Sequence, residues 1–103
     1  MDVSNSSIYN NGISGLFGNN HISGNIDNND IHDNSSFGIQ LRNSSTAAIS
    51  NNHIHDNPNG ILVFLYSSAD IRSNNIYDNF NDGIGISIQI ADAEIQYNHI
   101  HDN

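Results

Sequence analysis

A short word, Ile-x-Asp-Asn, recurs five times along this 103-residue chain, with Asn in place of Asp in the first copy. Successive copies are 23, 23, 22 and 24 residues apart. The words begin at Ile8, Ile31, Ile54, Ile76 and Ile100. Self-similarity at such a period is the signature of a solenoid, in which each repeat contacts only its neighbours and stacking buries a continuous core. We therefore expect residues 1–103 to form a single segment of stacked copies of one unit.

The interior of each unit predicts short strands rather than helices. An apolar residue stands five positions before each leading isoleucine, and a Gly-Ile pair follows each of the first four words (Gly12-Ile13, Gly38-Ile39, Gly60-Ile61 and Gly83-Ile84). Apolar residues alternate after these pairs, most regularly from Ile84 to Ile90, and this is the period of a strand. The prediction is an all-β fold, a single-stranded parallel β-helix of about four to five coils stacked about 4.8 Å apart. Each coil would contain 22–24 residues.

The 20 asparagines of the chain fit the turns of such a coil. An asparagine side chain carries both a donor and an acceptor, so stacked copies can bond to neighbouring backbone and to one another. One predicted ladder consists of Asn29, Asn52, Asn74 and Asn98. A second turn column, which is another candidate ladder, consists of Asn11, Asn34, Asn57, Asn79 and Asn103. The isoleucines would then fill the interior.

The charge of the chain limits its partners. Arg42 and Arg72 are the only basic residues besides histidine, eleven residues are acidic, and the net charge is −9. Phosphate binding needs clustered Lys and Arg, so the sequence predicts no nucleic-acid partner and no anionic membrane surface. No apolar run reaches the ~18 residues that a membrane span requires. The chain has no cysteine, which excludes disulfides and thiolate chemistry.

The pattern Ile-x-x-Asn-x-Ile followed by Gly-Ile-x-apolar resembles the right-handed parallel β-helix repeats of the pectate-lyase-like superfamily over essentially the whole chain. Words such as Asn-His-Ile-His-Asp-Asn look most like mannuronan C5-epimerase β-helix modules and NosD-type repeats. The resemblance implies a right-handed coil, an extracellular, periplasmic or cell-surface location, and a Gly-Ile strand whose outer face lines a sugar groove. The catalytic words of those enzymes are missing: Pro58 is the only proline, so Asp-Pro-His does not occur, and neither does Asp-Asp.

The outward residues of the Gly-Ile strand are candidates for carbohydrate binding. Its outward positions would be Gln40 and Arg42, Leu62 and Phe64, and Gly85 and Ser87, with Tyr66 added if the strand runs on. Arg42 beside Phe64 would pair a fork of hydrogen-bond donors with an apolar ring face, which suits a sugar. Alternatively, Leu62, Phe64 and Tyr66 pack under a loop or against a partner, since an exposed apolar patch indicates an interface of some kind.

The residues on either side of the word's isoleucine should form two outward columns. One column would be Tyr9, His32, His55, Tyr77 and His101, and the other Ser7, Asp30, His53, Asn75 and His99. This arrangement places Asp30 and His32 one coil below His53 and His55, a quartet that could hold zinc or copper if the ligands converge. The alternative is a solvated strand face on which His and Tyr rings stack vertically.

A third column contains the aspartates of the words: Asp33, Asp56, Asp78 and Asp102. Stacked carboxylates repel one another, and a calcium ion could relieve that repulsion. The alternative is that these are turn aspartates that cap local amides, with neighbouring histidines offsetting part of the charge.

Two classes of function follow. The first is a segment of a secreted polysaccharide-active protein, epimerase-like or lyase-like, that lacks the catalytic residues itself. The second is a structural or adhesive solenoid without enzymatic activity, or a metal-binding NosD-like repeat protein. The chain starts within a coil and ends on a repeat word, without an amphipathic capping helix, so we expect a solenoid that continues in a longer protein or associates end to end.

Overall fold

The computed structural model describes residues 1–86 and 92–103 and contains three parallel sheets in that part of the chain. Strands are numbered in chain order. Sheet A contains β1 (Val3–Ser4), β4 (Ser23–Asp27), β7 (Thr46–Ser50), β10 (Ser68–Arg72) and β13 (Asp92–Gln96). Sheet B contains β2 (Ser7–Tyr9), β5 (Asp30–His32), β8 (His53–His55), β11 (Asn75–Tyr77) and β14 (His99–His101). Sheet C contains β3 (Ser14–Asn19), β6 (Phe37–Arg42), β9 (Asn59–Val63) and β12 (Asp82–Ile86). The predicted all-β parallel solenoid is confirmed.

The strand register follows the sequence repeat. The leading isoleucines of the five words pair with one another along sheet B, and the apolar residues five positions earlier pair along sheet A. Inward-facing isoleucines such as Ile49, Ile54 and Ile61 are almost completely buried. Each fully buried isoleucine contributes about 1.5–3 kcal/mol, because its apolar surface leaves water. The core is therefore a vertical stack of equivalent side chains.

Both asparagine columns form ladders. In the ladder between sheets A and B, Nδ2 of Asn29, Asn52 and Asn74 donates to Oδ1 of the asparagine one coil further on, at 3.1, 3.0 and 3.0 Å. In the ladder between sheets B and C, the corresponding distances from Asn11 to Asn103 are 2.9, 3.0, 3.2 and 2.9 Å. Within the ladders Oδ1 also accepts a backbone N–H from the coil before it, as Asn52 Oδ1 accepts that of Asn29 at 2.9 Å. The Nδ2 of Asn52 in turn donates to the carbonyl oxygen of Ile26, one coil back, at 2.9 Å. The ladders satisfy buried backbone groups that the turns leave unpaired.

The glycine of the Gly-Ile pair permits close packing between coils. A Cβ on Gly38 would lie 2.8 Å from the carbonyl oxygen of Gly60 and 2.8 Å from Cγ2 of Ile54. Register aligns Leu16 with Ile39, so Gly15-Leu16 is the first-coil equivalent, and the predicted assignment of Gly12-Ile13 is wrong. Gly12 and Ile13 instead lie in an exposed turn before β3. The Gly12-Ile13 pair follows the last asparagine of its repeat more closely than the Gly-Ile pairs of the other coils do, and it is therefore not their equivalent.

The corners of the coils are turned by non-glycine residues in the left-handed region. The word aspartates show this regularly: φ is 51° at Asp33, 52° at Asp56, 51° at Asp78 and 55° at Asp102. Asn and Asp tolerate this region because their short side chains bond locally. Among the described residues, no glycine has a positive φ.

The C-terminal end of the chain is described in part, and its last coil is less buried than the coil before it. Strand β12 ends at Ile86, and the rest of the alternating stretch, including Ser87, falls in residues 87–91, outside the described residues. In the last coil Ile95 and Ile100 are 43% and 45% exposed, whereas their equivalents Ile71 and Ile76 are fully buried.

The described residues include no helix that is long and apolar enough to cross a membrane.

Candidate functional site

The outer face of sheet B presents one continuous stack of rings, as predicted. The rings of Tyr9, His32, His55, Tyr77 and His101 follow one another with centroids 5.1, 5.1, 4.8 and 5.3 Å apart. Their planes differ by only 6–10°. The parallel register of sheet B causes this stacking, since it places equivalent outward side chains one coil spacing apart.

The word aspartates hold the histidine rings of this stack. Nδ1 of His32, His55 and His101 lies 2.8, 2.7 and 2.7 Å from Oδ2 of the aspartate that follows each in sequence. The left-handed backbone of these aspartates turns the carboxylate back beside the preceding ring. Three aspartates of the column are therefore bonded to their own histidines, which supports the alternative of turn aspartates over a calcium column.

His55 is the most strongly held ring of the stack. Its Nδ1 faces Asp56, and its Nε2 lies 3.0 Å from Oδ1 of Asp30, one coil back. Burial alone would lower the pKa of His55, but the hydrogen bonds and charges of Asp56 and Asp30 outweigh burial and raise the pKa above its ordinary value of 6.5. Two carboxylates on opposite nitrogens favour the doubly protonated ring, because both nitrogens can then donate. Burial and the charges of Asp30 and the neighbouring aspartates raise the pKa of Tyr77 next to it.

The four predicted zinc or copper ligands are neighbours but do not converge. The rings of His32 and His55 lie parallel, so their nitrogens point in the same direction rather than toward one point, and each Nδ1 already has a carboxylate partner. His53 lies on the same outward face of β8 as His55, two residues earlier, and Asp30 is already bonded to His55. In residues 1–86 and 92–103 no group of three or more His, Asp or Glu side chains is arranged to hold a metal ion. The stacked strand face is the alternative that the geometry matches.

The outer face of sheet C contains an irregular groove of about 630 Å³. Its most distinctive contact is between Arg42 and Phe17, whose ring centroid lies 4.6 Å from Cζ of the guanidinium. Nε of Arg42 donates to Oδ1 of Asn19 at 3.3 Å, which fixes the guanidinium over the ring. The groove is lined by Asn11, Gly12, Ile13, Ser14, Phe17, Phe37, Gln40 and Arg42.

Only two of the predicted carbohydrate-binding residues line this groove. Gln40 and Arg42 line the groove, but Gln40 is only 9% exposed, and its Oε1 accepts a hydrogen bond from Ser14 Oγ at 3.3 Å. Leu62 pairs beside Gln40, and Phe64 follows the end of β9. The condition for adding Tyr66 is not met, because β9 ends at Val63 and Tyr66 turns the corner with a φ of 64°.

The aromatic partner of Arg42 in the structure is Phe17 of the preceding coil, a residue that the sequence prediction missed. Register aligns Phe17 with Gln40 and Asn19 with Arg42. Phe17 is 44% exposed. Aligning Gly15 with Gly38 would have revealed it, because Phe17 follows Gly15 at the same distance as Gln40 follows Gly38.

The two arginines differ in their electrostatic surroundings. Arg72, on the outer face of sheet A, is paired with Asp70 and lies 3.0 Å from Glu94. Strands β3, β6 and β9 of sheet C contain no acidic residue. Among the described residues Arg42 makes no ion pair, so its positive charge faces the groove.

These features define the chain as a parallel β-solenoid with two different outer faces, one regular and one grooved. It belongs to the family described as the right handed beta helix region, whose model matches residues 1–103. No curated protein and no solved structure matches the chain significantly.

Proposed function

We propose that this segment binds carbohydrate through the groove on the outer face of sheet C, as a non-catalytic part of a secreted polysaccharide-active protein. The observation that carries the proposal is the guanidinium of Arg42, which makes no ion pair with the described residues and is held over the exposed ring of Phe17. A ring offers an apolar face to the C–H surface of a sugar, and a guanidinium offers a fork of donors to its oxygens.

The remaining groove walls suit the same ligand class. Ile13 and Phe37 add apolar surface, and Asn11 and Ser14 add short polar side chains at the same opening. Binding sites that combine an apolar lining with a few fixed polar groups are typical of small organic ligands. The groove therefore matches a short stretch of a glycan chain.

Charge favours a neutral glycan over a polyuronate. The chain carries a net charge of −9, and only Arg42 places a positive charge in the groove. A polymer of uronates would meet repulsion from the acidic faces of sheets A and B, which a bridging divalent cation such as calcium could relieve. Binding to polyuronates is then expected only with calcium, whereas neutral glycans need no cation.

The test compares two pairs of matched variants on immobilised glycans, with and without calcium. Phe17→Ala and Arg42→Gln should each weaken retention by about tenfold, since each removes roughly one good contact. Phe80→Ala and Arg72→Gln are the controls, because Phe80 is a 73% exposed ring outside the groove and Arg72 is paired on sheet A. No retention of the unmodified chain on any glycan, or equal losses in the control variants, would overturn the proposal.

A structural or adhesive solenoid is the second candidate, and the regular outer face of sheet B favours it. Its stacked histidines are already bonded to carboxylates or amides, so this face offers few free polar groups to a small ligand. Saturable binding of a glycan that Phe17→Ala and Arg42→Gln weaken would remove this candidate.

A further inference from the structure

We propose that the Asn11–Gly12 bond is a site of spontaneous deamidation, which converts the end of the second asparagine ladder into aspartate or isoaspartate. In this reaction the backbone nitrogen of Gly12 attacks Cγ of Asn11 and forms a new N–C bond. The Cγ–Nδ2 bond breaks, and Nδ2 takes up the proton lost from the Gly12 N–H and leaves as ammonia. Water then opens the resulting succinimide at either carbonyl. The only co-reactant is water.

The residue that follows each asparagine of this ladder determines how readily that asparagine deamidates. Of the five residues in this ladder, only Asn11 is followed by glycine; Asn34 is followed by Ser35, Asn57 by Pro58 and Asn79 by Phe80, while Asn103 is the last residue. A proline has no N–H with which to attack, and a side chain on the following residue hinders the approach of its nitrogen to Cγ. Glycine removes that hindrance and allows the backbone to reach the ring-closing geometry.

The local structure leaves Asn11 and Gly12 accessible. Both residues are exposed and lie outside the strands, before β3 begins at Ser14. A Cβ built on Gly12 would meet nothing within 4 Å. Nδ2 of Asn11 donates to Oδ1 of Asn34 and to the carbonyl of Tyr9.

The chain contains its own control in Asn59–Gly60, its only other Asn-Gly pair. Asn59 and Gly60 lie in β9, which pairs with β6 on one side and β12 on the other. Gly60 is buried, and a Cβ there would lie 2.3 Å from the carbonyl oxygen of Gly83. Reaction at Asn59 requires the strand to open first, and such opening costs free energy.

Deamidation would change the ladder and the groove together. The Nδ2 donor that reaches Asn34 Oδ1 at 2.9 Å would be replaced by an oxygen, so an acceptor would face an acceptor. Asn11 also lines the groove, so the product adds a negative charge to a wall near Arg42. The first coil should therefore loosen as the groove loses its positive character.

The experiment incubates the full chain at mildly alkaline pH and follows the peptides containing positions 11 and 59 by mass spectrometry, with fragmentation to locate the altered residue. In the folded chain Asn11 should react about tenfold faster than Asn59, because opening β9 costs free energy. In denaturant the two sites should react at similar rates. Gly12→Ala, which has room for its methyl group and an ordinary φ, should slow the reaction at position 11 by a similar factor in a chain that still folds.

Three results would overturn the proposal. They are equal rates at the two sites in the folded chain, protection of Asn11 by folding relative to the denatured chain, and an unchanged rate at position 11 in Gly12→Ala.

Discussion

The outer faces of sheets B and C belong to the same coils. The outward residues of sheet B repeat from coil to coil, whereas those of sheet C do not. On sheet B every coil contributes one ring to the stack, and Nδ1 of each histidine in that stack is bonded to the carboxylate of the following aspartate. On sheet C the equivalent positions hold Phe17, Gln40, Leu62 and Gly85, which share no chemistry. A regular column satisfies itself and leaves little for a ligand, whereas an irregular face leaves a ring and a cation facing solvent.

Both faces depend on rigid coils. The largest expected loss of stability therefore comes from breaking the asparagine ladder between sheets A and B. Asn52→Ala removes the acceptor of two donors from Asn29 and the donor to Ile26, all in the buried interior. Each buried group left without a partner costs about 1–3 kcal/mol, so the free energy of unfolding should fall by about 3–5 kcal/mol. Urea unfolding measures it.

The matched control is Asn81→Ala. Asn81 is exposed, and its side chain makes no hydrogen bond with the described residues. Its replacement should change the free energy of unfolding by less than about 0.5 kcal/mol. A similar loss in both variants would mean that the ladder contributes nothing special.

The next effect tests the packing between sheets B and C. Gly38→Ala places a methyl group 2.8 Å from Gly60 O and Ile54 Cγ2, and overpacking of this kind costs about 1–3 kcal/mol. Gly12→Ala should not destabilise the chain, because its methyl group meets nothing. The midpoints of thermal unfolding compare the two variants, and a neutral Gly38→Ala would contradict the close approach of the coils.

The smallest effect tests the charge balance of sheet B. The pKa of His55 is raised in the folded chain, so its ion pairs contribute stability below the ordinary pKa of 6.5, and that contribution is lost as the pH rises through the folded-state pKa. At about pH 6, His55→Gln should be less stable than the unmodified chain by about 0.5–1 kcal/mol, and the difference should shrink above the folded-state pKa.

His53→Gln is the control on the same strand, since His53 is exposed and its side chain has no hydrogen bond among the described residues. Its replacement should change the free energy of unfolding by less than about 0.5 kcal/mol. A His55→Gln deficit that grows with rising pH would show that the carboxylates do not hold the ring as described.

The sequence predicts what the period determines and misses what side-chain detail determines. The ladder through Asn52 and the column through His55 follow from spacing alone, because parallel register stacks equivalent positions. The bond from His55 to Asp30 crosses between columns and depends on a rotamer, so spacing does not reveal it. Phe17 was missed because Gly12-Ile13, and not Gly15-Leu16, was aligned with the Gly-Ile pairs of the other coils. In the correct register Phe17 pairs with Gln40 and contacts Arg42.

The most direct test of the central claim, that ligands bind where the repeat is irregular, is an NMR titration of the isotope-labelled chain with a glycan that retains it in the immobilised-glycan test. The amide signals of Phe17, Gln40 and Arg42 should shift with ligand concentration, while those of His32, His55 and Tyr77 stay in place. Shifts concentrated on the stacked rings of sheet B, with the sheet C groove unchanged, would contradict the claim.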